Sequence, residues 1–155
     1  MSELLEAPVP HHPPRLDDQL CFAVYAASRT IVQAYQPMLK SLGLTYPQFL
    51  VMMVLWEEDG LSVSAVGDRL LLDSGTLTPL LKRLEQAGML RRQRAQDDER
   101  RVHIFLSDEG SALSKQAAVK HHELLCALDD GTEGGLHELG ALRDQLRSLT
   151  TTLRA

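Results

Sequence analysis

The feature that most constrains the fold is a change of hydrophobic period at Gly88. Upstream, Leu77, Leu80, Leu81 and Leu84 recur at i, i+3, i+4 and i+7, which places them on one stripe of an α-helix. Ala87-Gly88 is a C-terminal stop for that helix. Downstream, Met89-Leu90-Arg91-Arg92-Gln93-Arg94 and Val102-His103-Ile104-Phe105-Leu106 read as two short strands. The second alternates Val, Ile and Leu on one face, as a half-buried strand does. The charged run Gln96-Asp97-Asp98-Glu99-Arg100 joins them as a loop. A hairpin that follows a helix so directly is a wing if a second helix is packed just before the first.

That second helix is present. Ser62 or Ser64 opens a short helix through Val66, Leu70 and Leu71, and Leu72-Asp73-Ser74-Gly75 forms the turn and cap. Two helices so tightly connected are a helix-turn-helix. Further upstream, Thr45 caps a helix with Pro47 in its first turn. Its run Phe49-Leu50-Val51-Met52-Met53-Val54-Leu55-Trp56 is apolar nearly all round, which marks a buried core helix, and Gly60 ends it. The first helix starts near Arg15 or Leu16 and ends near Leu42-Gly43, with a stripe of Leu20, Val24, Ala27 and Ile31. After the hairpin, Ser107-Asp108-Glu109-Gly110 caps a helix to about Leu128. Asp129-Asp130-Gly131 breaks it, and a last helix carries Leu136, Leu139, Leu142, Leu146 and Leu149.

The expected fold is therefore mainly α with a small β-hairpin wing. Residues 1–14, with four prolines and two histidines, form a flexible arm, and His11-His12 have no further ligands at metal-binding spacing. Residues 15–155 form one domain, with the winged helix-turn-helix over about 45–107. The helices over about 15–42 and 108–153 hold more apolar stripe than one small domain can bury. A homodimer built on them is the economical solution.

The 155 residues are 44% hydrophobic and 24% charged, an ordinary globular balance that excludes a disordered chain. No apolar run reaches a membrane span, and the start lacks a signal peptide's basic and apolar regions. The expectation is a cytoplasmic protein without a membrane partner, where a cysteine pair is more often redox-active or inert than a structural disulfide. The net charge of −5 argues mildly against nucleic acid. The distribution reverses that argument, because 7 of the 16 Lys and Arg lie between Lys82 and Arg101. A local basic surface binds phosphates whatever the total charge, since screening limits its reach to about 10 Å.

The leucine-striped helix keeps Ser74, Thr76, Thr78, Pro79, Lys82 and Arg83 on its outer face. Hydroxyls near a helix N-terminus with bases further on suit insertion into the major groove of double-stranded DNA. Gly75 of the first turn and Arg94 of the hairpin complete this set. Pro79 removes one intrahelical bond and predicts a distortion at the helix start. Arg100 and Arg101 stand at the wing tip, where an arginine can enter the narrow minor groove, and Asp98 can orient Arg100. The plain alternatives are a solvated amphipathic helix and a salt-bridged turn.

Cys21 is one of two cysteines. Tyr25 at i+4 and Tyr35 at i+14 return to its helix face, and Tyr46 follows one turn signal later. These are all three tyrosines of the chain. Phenols can donate hydrogen bonds to a thiolate with no metal or cofactor. Asp17 and Asp18, at i−4 and i−3, oppose the negative sulfur, so the phenols must outweigh them. A buried, inert cysteine is the plain alternative.

The stretch Leu72-Asp73-Ser74-Gly75-Thr76-Leu77-Thr78-Pro79-Leu80-Leu81-Lys82-Arg83-Leu84-Glu85, with Asp98-Glu99-Arg100 after it, resembles the MarR family of winged-helix regulators. Leu20-Cys21-Phe22, Tyr25, Tyr35 and Thr45-Tyr46-Pro47-Gln48 resemble one branch of it, the organic hydroperoxide resistance regulators (OhrR). The resemblance covers about residues 16–150. It implies a dimeric repressor that leaves a pseudo-palindromic operator when an organic hydroperoxide oxidises Cys21. Tyr35 and Tyr46 match the tyrosines that hydrogen-bond the sulfur, and Tyr25 matches a third pocket tyrosine. Phe22, Val24, Tyr25 and Phe49 would make the pocket apolar and so favour organic peroxides. Cys126 resembles the second, resolving cysteine of two-cysteine members, reached from the partner chain. Sulfenic acid on Cys21 would condense with its thiol.

Three other readings compete. A noncovalent phenolic ligand could relieve the repressor. A thiol peroxidase would leave the DNA-binding region unexplained and has only Arg29 as a nearby base. A winged-helix interaction module would bind no DNA.

Overall fold

A computed structural model of the chain describes residues 13–96, 101–128 and 135–154. The expectations for the proline-rich arm at 1–12, for Asp98 and Arg100 in the hairpin loop, and for the break at Asp129-Asp130-Gly131 lie outside these residues, as does the side chain of Leu136. The chain divides into two compact units, Met1–Gln36 and Pro37–Ala155.

In the first unit a 3-10 turn, Leu16–Asp18, leads into α1, Leu20–Leu42, whose last residues belong to the second unit. Leu20, Phe22, Val24, Tyr25 and Ile31 of α1 are exposed. The expected start at Arg15 or Leu16 is thus a separate turn: Gln19 is extended and closes it, and the α-helix begins one residue later.

The second unit is the winged helix. Thr45 caps α2, Tyr46–Glu57, through a full capping box: its hydroxyl accepts from the Gln48 amide, and its own amide donates to the Gln48 side chain at 2.9 Å. Phe49, Val51, Met52, Val54 and Leu55 are buried, as an all-apolar helix requires. Ser62 caps α3, Val63–Leu70, by accepting from Ala65 N at 3.1 Å. Leu71 then takes a left-handed conformation, φ 56°, to turn the chain, and Asp73 caps α4, Ser74–Gln86. Leu77, Leu81 and Leu84 are fully buried, whereas Leu80 lies at the edge of the stripe and is half-buried. No break interrupts α4 at Pro79.

β1, Leu90–Arg94, pairs antiparallel with β2, Val102–Leu106, in the register Leu90 to Leu106 and Arg94 to Val102. A third, unforeseen segment joins the outer side of β2. Gly60 N donates to Ile104 O at 3.0 Å, and Ile104 N donates to Leu61 O at 2.8 Å. Ile104 is the strand's fully buried residue, but Phe105 on the opposite face is half-buried as well, lying against Gly60 and under Arg91.

Ser107 caps α5, Asp108–Leu128, by accepting from Gly110 N at 3.0 Å. Gly110 is where α5 meets the core. A Cβ there would run into the Met89 carbonyl, and its own carbonyl accepts from Trp56 Nε1 at 2.8 Å. α6, Gly135–Arg154, leaves Leu139, Leu142, Leu149 and Leu153 exposed. Among the described residues no single helix is long and apolar enough to cross a membrane.

Candidate nucleic-acid interface and sensor thiols

The interface starts from the α4 cap. Asp73 Oδ1 accepts from Thr76 N at 2.9 Å, and Oδ2 accepts from Thr76 Oγ1 at 3.0 Å. These two bonds, the backbone one first, hold the Asp73 carboxyl below the usual carboxylate range. Thr76 therefore has a structural duty besides its expected place in the groove: its hydroxyl proton is committed to the cap. Ser74, Gly75, Thr76, Pro79, Lys82 and Arg83 are exposed, and Thr78 is half-buried. This is the outer face that the leucine stripe predicts.

A groove of about 350 Å³ joins this face to the wing. It is lined by Ser62, Val63 and Ser64 at the start of α3, Ser74, Thr78 and Leu81 of α4, and Arg92, Arg101 and Val102 of the hairpin. The hydroxyls of Ser62 and Ser64 stand 3.0 Å apart. Neither serine was foreseen beyond its capping role, although a cap serine already places its hydroxyl at a helix N-terminus, where anions bind.

Two members of the basic cluster are engaged, one with α4 and one within the wing. Arg92 donates from Nε to Glu85 Oε2 at 2.8 Å and from its backbone N to Oε1 at 2.9 Å. The Arg92 side chain, then its amide, holds the Glu85 carboxyl below the usual range. Arg91 lies over the Phe105 ring at 5.4 Å. Lys82, Arg83, Arg94 and Arg101 are exposed.

The expected sensor residues divide between the two units. Cys21, Phe22, Tyr25 and Tyr35 lie on α1 in the first, with Cys21, Phe22 and Tyr25 exposed and Tyr35 half-buried. Tyr25 Oη accepts from Arg29 Nη1 at 3.3 Å, and the Arg29 guanidinium sits 5.5 Å from the ring centroid. The phenolic proton of Tyr25 remains available to donate. Tyr46, Phe49 and Cys126 lie in the second unit. Tyr46 is half-buried at the start of α2. Phe49 is buried, edge-on to Trp56 with ring centroids 6.0 Å apart. Phe49 and Trp56 line a small apolar cavity of about 230 Å³ together with Met53, Ala117, Ala118 and His121.

Cys21 and Cys126 are both free, exposed thiols. Cys126 Sγ stands 3.6 Å from His122 Nε2 on the same face of α5. Sequence reasoning missed His122, though its i−4 spacing from Cys126 is a visible signal.

Residues 33–117 match a family described as transcriptional regulator SarA/Rot. The chain is 51% identical over 148 residues to the HTH-type transcriptional regulator TtmR of Methylorubrum extorquens (strain PA1), spanning 92% of this chain and 71% of that protein. It is 48% identical over 103 residues to the organic hydroperoxide resistance transcriptional regulator of Bacillus subtilis (strain 168), spanning 66% of this chain and 70% of that protein. Among solved structures it is similar to AbfR of Staphylococcus epidermidis. Reduced AbfR bound to DNA matches with a TM-score of 0.77 at 36% identity, covering 91% of this chain and 96% of that one. Disulfide-formed AbfR matches with a TM-score of 0.66 at 37% identity, covering 90% and 92%.

Proposed function

The chain belongs to the MarR/SarA family of winged-helix transcriptional regulators, in its organic hydroperoxide branch, and from that premise we propose a cytoplasmic, homodimeric repressor whose Cys21 senses organic hydroperoxides. It is a DNA-binding regulator and not an enzyme, as its relatives are. Ser74, Gly75, Thr76, Thr78, Pro79, Lys82 and Arg83 of α4 enter the major groove, and Arg94, Asp98, Arg100 and Arg101 serve the wing. Two-fold symmetry sets a pseudo-palindromic operator with half-sites about one helical turn apart. The exposed leucines of α6 and the exposed apolar residues of α1 support the dimer.

The chemistry at Cys21 is a two-electron oxidation. The thiolate attacks the terminal peroxide oxygen, the O–O bond breaks, the departing alkoxide takes a proton from solvent and leaves as the alcohol, and the sulfur becomes sulfenic acid. Tyr35 and Tyr46 donate to the sulfur, with Tyr25, Phe22 and Phe49 shaping the pocket. Cys126 of the partner subunit then condenses with the sulfenic acid, which forms a disulfide and releases water. The single observation that carries this reading is a free, exposed thiol on the tyrosine-bearing face of α1, in a chain 48% identical to a hydroperoxide-resistance regulator. The solution of AbfR both reduced on DNA and with its disulfide formed supports the redox switch by analogy.

The test is retention on an operator duplex before and after treatment with an organic hydroperoxide, then a reductant, with non-reducing gels in parallel. Release that a reductant reverses, a covalent dimer band, and loss of that band in Cys126→Ser are expected. Release without the band removes Cys126 from the link; no release at all removes Cys21 as sensor. A second reading, relief by a noncovalent phenolic ligand, is favoured only by the apolar cavity beside Phe49 and Trp56. Cys21→Ser separates the two, because it keeps a ligand response and loses a peroxide response.

A further inference from the structure

We infer that His122 is the base that prepares Cys126 for disulfide closure, an inference that rests on the two-cysteine reading above. Cys126 Sγ and His122 Nε2 are 3.6 Å apart, within hydrogen-bond reach for sulfur. The contact lies one turn apart within α5, so the helix backbone holds it whatever the rest of the dimer does. The neighbouring charges are already matched, since Lys120 Nζ pairs with Glu123 Oε2 at 2.9 Å. Among the described residues the hydrogen bond of the His122 imidazole is the one to Cys126 Sγ. Both side chains are exposed, which an incoming sulfur requires.

A histidine in hydrogen-bond reach of a cysteine is placed to take the thiol proton as the sulfur attacks. In the neutral imidazole with its proton on Nδ1, Nε2 accepts from the Cys126 S–H. As Cys126 attacks, its proton moves to Nε2 and the new S–S bond forms. The S–O bond of the Cys21 sulfenic acid breaks. The departing hydroxide takes the proton from the imidazolium and leaves as water. The Cys126 sulfur is oxidised, the Cys21 sulfur is reduced from the sulfenic level, and His122 returns to its starting state. His122 thus acts as the base of the second step, which it speeds, and leaves the first alone.

The experiment reads the two steps separately. In a full-length Cys21→Ser background, Cys126 is titrated with the neutral disulfide 4,4′-dithiodipyridine at pH 7, with and without His122→Gln. Loss of the base should slow the reaction about tenfold, a modest share of what a positioned base contributes. His122→Ala should be slowed likewise and recover with added imidazole, a rescue that lost packing would not show. In the two-cysteine protein, His122→Gln should leave dimedone-trapped sulfenic acid forming at its normal rate while closure lags. Equal rates with 4,4′-dithiodipyridine in all three proteins would overturn the inference whatever the switch does. A slowed titration in a protein that never forms the Cys21–Cys126 bond would instead overturn the two-cysteine reading on which it rests.

Discussion

Glu85 ties the recognition helix to the wing, and removing it should loosen the wing by an amount the geometry fixes. Its Oε1 accepts from the Arg92 amide at 2.9 Å, and its Oε2 accepts from Arg92 Nε at 2.8 Å with Nη2 at 2.7 Å. About a third of each side chain meets water, 34% for Glu85 and 30% for Arg92. The ion-pair share is therefore screened to about 0.5–1 kcal/mol. The part-buried Arg92 amide loses its acceptor in Glu85→Ala, which costs about another 1 kcal/mol. The sum, about 1.5–2 kcal/mol, should lower the urea midpoint at pH 7 by roughly 0.5–1 M, read by circular dichroism. The sign with pH follows from Glu85 lying below the usual carboxylate range. Its stabilisation is fully present above the ordinary carboxylate pKa of about 4.3 and is lost as pH falls through the lower folded value. The gap between wild type and Glu85→Ala should be flat from pH 6 to 8 and shrink below about pH 4. A gap absent at pH 7, or undiminished in acid, would refute the clamp.

Three further outcomes are expected. Leu81→Ala empties a site with no solvent exposure under the recognition helix and should cost about 2–5 kcal/mol in urea unfolding. Gly110→Ala drives a methyl into the Met89 carbonyl and disturbs the Trp56 indole bond. Overpacking of this kind costs about 1–3 kcal/mol and should show as a lower thermal midpoint with altered tryptophan fluorescence. Lys82→Ala and Arg101→Ala should each reduce the slope of log affinity against log salt by about 1, uniformly across DNA sequences, if these side chains meet phosphates.

The elements that sequence reading placed well are those whose signals are local. Thr45-Tyr46-Pro47-Gln48 contains both halves of its capping box within four residues, and both bonds form. The period of the leucine stripe buries Leu77, Leu81 and Leu84 because a helix repeats its own faces without outside help. The features that sequence reading did not reach come from contacts distant in sequence. The strand alternation says nothing of Gly60, which lies against Phe105, or of the segment 43 residues away that pairs with β2 through Leu61 and Ile104. Arg92 reads as one more phosphate-binding base until Glu85, on another element, takes its guanidinium. Charge counts give the sign of a surface; only the fold says which charges are already matched.

The proposed sensor follows a different logic from the core. Ile104 and Leu84 are buried completely, yet Cys21 is exposed and bordered on α1 by the exposed Leu20, Phe22 and Val24. A helix presenting that many large apolar side chains to water forgoes about 1.5–3 kcal/mol for each one that a partner could cover fully. Under the dimer proposed above, the thiol would stand on a surface whose burial drives assembly. Oxidation turns a small apolar sulfur into a polar one, and a disulfide to a second α5 would add a covalent restraint at the same surface. On the proposed mechanism, oxidation at Cys21 would alter the packing between subunits, and half-site spacing is the quantity a two-fold operator reads.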